Sequence, residues 1–295
     1  MHSRKRYLWG YSLALVSALS FSTKGVIAKL LYAHGLEPVG MLALRFAIAM
    51  PLFWALLFLF PSEKVRPRDI GYLILSGILG IYLSALADFY GLKFMEASLE
   101  RLVVYTYPIF VLLFSALFFK EKLSRAIILP LIVTYFGLAI ALEAFTGGLS
   151  GNTGLGAGLV LFAAIAFAGG QVVTESLGRR VSSVKLSAVT TTAAAAAFIT
   201  TYFLQGGGPM PASATAWGLL VLLSALATFV PLLSIVMSIK IIGASHTAMI
   251  GFIGPVSTAI IARIFLGEAL TTPKVIGMAI LLVGVYLITR SRIDK

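Results

Sequence analysis

The chain is expected to be an all-α integral membrane protein, with ten transmembrane helices arranged as two inverted five-helix repeats. Three observations predict this. Of 295 residues, 59% are hydrophobic and only 12% charged, against about 25% charged in an ordinary soluble domain. Mean hydropathy is +1.00 over the full length, so apolar residues are spread along the whole chain. The charges fall in short runs between apolar stretches of roughly 20 residues, the length a helix needs to cross a bilayer. Ten such spans leave only short loops and no room for a soluble catalytic domain. A transmembrane β-barrel does not fit, because the apolar runs are about twice too long and do not alternate.

Apolar windows bounded by charges, Gly and Pro place the spans near 8–31, 39–60, 70–90, 97–119, 126–145, 155–177, 185–204, 214–239, 246–266 and 273–289. The first has the look of a cleavable signal peptide, with Arg4, Lys5 and Arg6 ahead of an apolar run and Ala18-Leu19-Ser20 behind it. The apolar stretch resumes after Lys24 with Val26, Ile27, Ala28, Leu30 and Leu31, so we read a retained first helix. Clear loops follow at Pro61-Ser62-Glu63-Lys64, Lys120-Glu121-Lys122, Gly147–Gly154, Arg179-Arg180 and Gly206-Gly207-Gly208-Pro209. The weakest break lies at Lys93–Glu96.

The formal net charge is +12. Sixteen Lys and Arg fall on the side that holds the N-terminus and three on the other, namely Lys29, Lys93 and Lys274. Lys24, Arg45, Arg101 and Arg263 fall inside spans. By the positive-inside rule both termini are cytoplasmic, in the cell inner (plasma) membrane. The excess base then faces the anionic lipid bilayer, which argues against a nucleic-acid partner. With no cysteine in the chain there is no disulfide, thiolate metal site or cysteine nucleophile.

A shift of 147 positions aligns two stretches without a gap. Lys93 meets Lys240, Ala97-Ser98 meets Ala244-Ser245, Pro108 meets Pro255, Glu121 meets Glu268 and Gly137 meets Gly284. The halves are therefore 1–147 and 148–295. Five spans per half is an odd number, so the second half enters the membrane from the opposite side. Two homologous units of opposite orientation can exchange conformations, which is the design of many secondary transporters, with the substrate site near the midplane.

The Ala-Ser opening, mid-span Pro, Glu-x-Leu-Ser/Thr turn and spaced Gly of each half resemble the EamA-like modules of the drug/metabolite transporter superfamily. Pro38 followed by Arg45 is similar to that family's second-helix pattern. The resemblance covers essentially the whole chain and is nearest to bacterial exporters of amino acids and related metabolites. It implies ten helices, duplicated modules, cytoplasmic ends and a small-molecule substrate, without choosing that substrate. The second half keeps no partner for Arg45, since Val189–Ala197 is rich in Thr and Ala.

Polar residues at membrane depth supply the candidate site. Asp88 lies in the third span, where a carboxylate costs about 2.5–3.5 kcal/mol on insertion scales and should face the bundle interior. It reads as a contact for a substrate amine or a proton site, or else as a partner of headgroup water or Arg101. Lys24 and Glu175 hold similar positions in the first and sixth spans, and would read the two ends of a zwitterion or form a structural ion pair. Arg45, about two turns inside its helix, reads as structural, gating or snorkelling. His246 is a candidate for pH-linked gating or a hydrogen-bonded packing residue. Tyr82 and Tyr105 fall well inside their spans and suit a cavity lining, as does Gln171. Pro108 and Pro255 occupy equivalent mid-span positions and are expected to loosen their helices as hinges.

No catalytic or metal-binding motif stands out, and no cofactor is expected. The expected function is export of small metabolites, amino acids first, by alternating access, with Tyr82, Asp88, Tyr105, Gln171 and His246 as the substrate site and protons as a candidate coupling ion. The rivals are a carrier of nucleotide-linked sugars or other anions with the same fold, and a non-carrier such as a channel or intramembrane enzyme.

Overall fold

The structure is a computed structural model that describes residues 2–59, 65–119, 128–145, 151–178, 181–242, 250–251 and 253–293. Every regular element among the described residues is helical. In chain order they are α1 (His2–Ser22), α2 (Lys24–Ala33), α3 (Pro38–Leu59), α4 (Pro67–Gly77), α5 (Ser84–Leu92), α6 (Ala97–Val104), α7 (Tyr107–Phe119), α8 (Ile128–Ala141), α9 (Asn152–Gly178) and α10 (Ser183–Leu204). The remainder are α11 (Ala214–Ser224), α12 (Val230–Ile242), α13 (Ile253–Leu266) and α14 (Thr272–Ile293). Two π-helical turns, Ile78–Leu83 and Ala225–Phe229, join α4 to α5 and α11 to α12.

Each expected span meets a helix. Seven continuous segments among the described residues are long and apolar enough to cross a membrane, from Tyr7–Ala33 to Ala214–Ile235, and three shorter apolar helices fall at Ile128–Ala141, Ile253–Leu266 and Thr272–Gly284. Large apolar side chains such as Phe58, Phe136, Leu204 and Ile264 stay exposed, as a lipid-facing surface requires and a water-facing one would not tolerate. The weak break at Lys93–Glu96 is real: α5 stops at Leu92 and α6 begins behind an extended Glu96 at φ −68°, ψ 150°.

Four interruptions carry no hydropathy signal. The first span breaks at Thr23, whose hydroxyl donates to the Ser20 carbonyl at 2.7 Å. The fourth breaks at Tyr105 and Thr106, where the Thr106 hydroxyl donates to the Val103 carbonyl at 2.7 Å. The third and eighth contain the π turns, which begin at Ile78 and Ala225. Those two positions are separated by the same 147 residues as the sequence repeat. Pro108 sits in the first turn of α7, where a missing N–H costs nothing; the break therefore precedes the proline rather than bending around it.

Helices from the two halves pack on one another: α8 against α14, α3 against α10, α1 against α12, and α4 and α5 against α9. The α8–α14 contact is antiparallel and close. A Cβ on Gly137 would stand 2.8 Å from the Gly277 carbonyl oxygen, and one on Gly284 would stand 2.9 Å from Thr134 Cα. Small residues let bilayer helices approach closely and gain dispersion contacts where lipid supplies no hydrophobic drive. Between α3 and α10, Phe46 stacks on Phe198 with centroids 5.2 Å apart, and Trp54 Nε1 donates to the Thr192 hydroxyl at 2.9 Å. Rising numbers on α3 thus meet falling numbers on α10. The largest core, including Leu31, Met41, Phe89 and Leu220, fills the space between α2, α3, α5, α10 and α11.

One end of the bundle is closed by polar contacts. The Glu268 carboxylate, just beyond α13, accepts from the backbone N–H of Ala97 at 2.6 Å and of Ser98 at 3.1 Å, and from the Ser98 hydroxyl at 2.6 Å. It caps α6 from another element, filling the role an N-cap residue usually plays. Lys274 pairs with Glu96, Lys93 with Glu37 at 2.7 Å, and the Thr271 hydroxyl donates to Glu143 at 3.1 Å.

Candidate functional site

The break at Thr23 sets α2 on its own course, and Lys24 is its first residue. Ser22 donates to the Ala18 carbonyl at 2.7 Å and to the Gly254 carbonyl at 3.1 Å, which ties the break to α13. Gly25 then lets α6 come close: a Cβ there would meet Ala97 Cβ and Glu100 Oε2, both at 3.2 Å. From α5 comes Asp88. The result is a buried ionic cluster. Lys24 Nζ donates to Asp88 Oδ2 and to Glu100 Oε1, the latter at 3.1 Å. Relative exposure is 9% for Lys24, 5% for Asp88, 0% for Glu100 and 8% for Arg101, so water screens none of these charges well and each depends on its neighbours.

Arg101 extends the cluster toward Tyr105, with its guanidinium 5.2 Å from the Tyr105 ring and 5.9 Å from that of Phe21. Cation–π contacts of this kind hold a buried cation without neutralising it. The Tyr105 hydroxyl donates to the Gly251 carbonyl at 2.6 Å. On the far side, the Phe89 ring lies 5.9 Å from Lys24 Nζ and 5.5 Å from the Arg45 guanidinium. Tyr32 donates to the Phe89 carbonyl at 2.6 Å and ties that turn of α5 to α2.

Arg45 is spent on structure. Its Nε donates to the Thr228 hydroxyl and its Nη2 to the Ala227 carbonyl, each at 2.8 Å. Both acceptors belong to the π turn Ala225–Phe229, so the guanidinium ties α3 to the point where the winding of the eighth span changes.

The expected site residues divide. Asp88, Lys24 and Tyr105 come together around Arg101, and Lys24 pairs with Asp88 and Glu100. Tyr82 lies in the first π turn, bonded to Thr201 on α10 at 2.7 Å and packed on Phe198 at 4.8 Å, in the apolar core rather than the cluster. Gln171 is exposed on α9, with no hydrogen bond to the cluster. Pro255 is buried in α13 beside Gly254, which abuts the Tyr105 hydroxyl. His246 lies outside the described residues, as do the side chains of Glu175 and Pro108. Glu100 was not among the expected residues. It stands near the start of the fourth span, where a carboxylate reads as a headgroup-level residue; the signal that singles it out is a second acid one turn inside α6 with only one intramembrane lysine available to balance Asp88 and itself. No group of three or more His, Cys, Asp or Glu that could hold a metal occurs among the described residues.

Comparison with known proteins places the chain. The model of the EamA-like transporter family matches residues 8–142 and again 154–290. A Bacillus subtilis protein named as uncharacterized transporter YcbK is 29% identical over 277 residues, covering 91% of this chain and 88% of its own. An uncharacterized transporter of Archaeoglobus fulgidus is 25% identical over 260 residues, covering 87% and 90%. A solved crystal structure with 19% sequence identity superposes with a TM-score of 0.69 over 97% of this chain and 99% of the other, and shows the shared fold alone. Multiple membrane-spanning helices, a twice-matched family and transporter relatives agree on one assignment. The chain belongs to the EamA-like transporter family.

Proposed function

We propose that this chain is a secondary transporter of the inner (plasma) membrane that exports small metabolites, amino acids first, by alternating access of two inverted repeats, 1–147 and 148–295. The observation that carries the reading is the pairing of equivalent helices. Thr134 and Gly137 on α8 have Leu281 and Gly284 as their counterparts 147 residues on, and the contacts run crosswise, Gly137 against Leu281 and Gly284 against Thr134. Exchange of i with j under the repeat, between antiparallel helices, supports a two-fold axis lying across the helices. In a bilayer such an axis lies in the membrane plane, the geometry of an inverted repeat.

The cluster supports a zwitterionic cargo. Asp88 and Glu100 each keep one oxygen without a partner for an ammonium group, and Arg101 offers a cation to a carboxylate, with Tyr105 beside it. Of the other expected residues, Tyr82 and Gln171 lie away from the cluster and His246 lies outside the described residues. Anionic cargo such as nucleotide-linked sugars, which needs several cations, fits less well. Lys24 and Arg45 have protein acceptors, which leaves Arg101 as the cluster cation with an unpartnered donor, against one unpartnered oxygen on each of Asp88 and Glu100.

Counterflow in proteoliposomes tests the reading. Vesicles loaded with one unlabelled amino acid of a panel should accumulate the same labelled amino acid transiently, and Asp88→Ala, Tyr105→Phe and Arg101→Ala should each reduce that rate at least tenfold. A panel that yields no counterflow removes the amino-acid reading, and full activity in all three variants removes the site.

A further inference from the structure

We propose that Asp88 and Glu100 hold one proton between them, and that this proton is the ion exchanged for the cargo. Among the described residues, four buried side-chain polar atoms have no hydrogen-bond partner: Asp88 Oδ1, Glu100 Oε2, Arg101 Nε and Thr191 Oγ1. Three of the four belong to this one cluster. The other oxygen of each carboxyl group is bound to the same Lys24 ammonium, so among the described residues the two carboxyl groups share one cation as their only hydrogen-bond donor.

Two full negative charges flanking one ammonium, in a medium of low dielectric, repel strongly. Lys24 is the one cation in contact with them, and the Arg101 guanidinium acts on both from beyond salt-bridge distance. Carboxyl pairs in that position keep a shared proton, and the pair titrates as a unit. One proton removes both faults at once: a carboxyl group becomes a donor to its neighbour, and the pair carries a single negative charge facing a single ammonium. The other ionisable groups around the pair are already committed or lie further off. On α2, Tyr32 donates to the Phe89 carbonyl, and Lys29 acts on Glu100 only through space. Arg45 on α3 is bound to the π turn. Arg101 on α6 is held between the rings of Phe21 and Tyr105 and attracts both carboxyl groups through space without a hydrogen bond to either. Of the helices packed on α2 and α6, α11 has no ionisable residue, α13 has only Arg263, which is exposed, and α8 has only Tyr135. The helix α9 has only Glu175, whose side chain lies outside the described residues, and α1 has none nearer the break at Thr23 than Tyr11.

Release breaks one O–H bond. Its electron pair stays on the carboxylate, the proton passes to water on whichever side the cluster then faces, and the pair goes from one negative charge to two. The second charge is then balanced by the ammonium end of the cargo, so proton and cargo exclude each other. The proton site stands on the geometry alone; its role in exchange rests on the transport reading above.

Infrared spectroscopy of the purified protein in lipid vesicles, without any cargo, reads the proton directly through the carbonyl stretch of a protonated carboxyl group. The wild type should show one such band in a pH range, from about 5 to about 9, in which isolated carboxylates are ionised at most points. Asp88→Asn and Glu100→Gln should each abolish it, because the remaining acid is left one-to-one with Lys24. Lys24→Met should strengthen it, because the pair loses its counter-charge; loss of packing alone would not. Absence of the band from the wild type across the range overturns the proposal, as does its persistence in both acid variants. Should a variant fail to insert, the wild-type titration decides by the same criterion. Coupling is tested with alanine-loaded vesicles: a pH gradient, acid outside, should speed efflux in the wild type and leave Glu100→Gln unaffected. Equal acceleration of both removes the exchange role, and a normal band in vesicles that transport no amino acid keeps the proton site while removing the amino-acid reading.

Discussion

Gly25 is the narrowest point of the ionic cluster. An added methyl group would press on Ala97 Cβ and Glu100 Oε2 at 3.2 Å, tighter than ordinary contact, and both neighbours are fixed by α6. We expect Gly25→Ala to push α2 away from α6 and lengthen the Lys24–Glu100 bond, at an overpacking cost of about 1–3 kcal/mol. Thermal unfolding in detergent checks this, and an unchanged midpoint would mean the interface is slacker than its distances indicate. At this scale the sequence was half legible. Lys24, Arg45 and Asp88 stand out because a charge in an apolar run calls for an interior partner or a route to the interface. The partners do not stand out. Asp88 and Glu100 are 64 and 76 residues from Lys24, and no periodicity links them. Arg45 is harder still, since one of its acceptors is a backbone carbonyl, which no side-chain pattern announces.

Among the elements, α6 is short, eight residues from Ala97 to Val104, and isolated helices of that length are not stable. Its N-terminus is completed by Glu268 rather than by a residue of its own, so the cluster residues Glu100 and Arg101 depend on a loop 170 residues away. Glu268→Ala should cost about 0.5–2 kcal/mol, as for other lost caps, and lose the favourable meeting of a carboxylate with a helix N-terminus. Glu268→Gln, which keeps one acceptor, should fall between the two. Hydrogen exchange at Ala97 and Ser98 reports the effect locally, and equal protection in all three proteins would show that the cap carries no stability. The repeat shift aligns Glu268 with Glu121 and Ala97-Ser98 with Ala244-Ser245, so the residue types of the cap were visible as a matched motif. That the Glu of one half would cap the helix of the other was not, because a motif reports what recurs and not what it touches. The breaks at Thr23 and Tyr105, and both π turns, were likewise invisible: a change of winding alters hydrogen bonding and leaves hydropathy as it was.

At the scale of the molecule, the spans were the most legible feature, since the bilayer sets helix length and the side chains announce it. The expected orientation rests on charge asymmetry, and here the chain offers a clean experiment. It contains no cysteine, so any single cysteine reports its own location without background. Ser3→Cys and Ser291→Cys mark the two ends, and Ala212→Cys marks the exposed loop between α10 and α11. With sixteen Lys and Arg on one side against three on the other, the positive-inside rule places both ends in the cytoplasm and Ala212 outside. A membrane-impermeant maleimide applied to intact cells should label Ala212→Cys alone, and should label all three once the membrane is opened. Labelling of one end but not the other in intact cells would require an odd number of spans. The two halves would then no longer be related by an axis in the membrane plane, and the crosswise contacts of α8 and α14 would need a different origin.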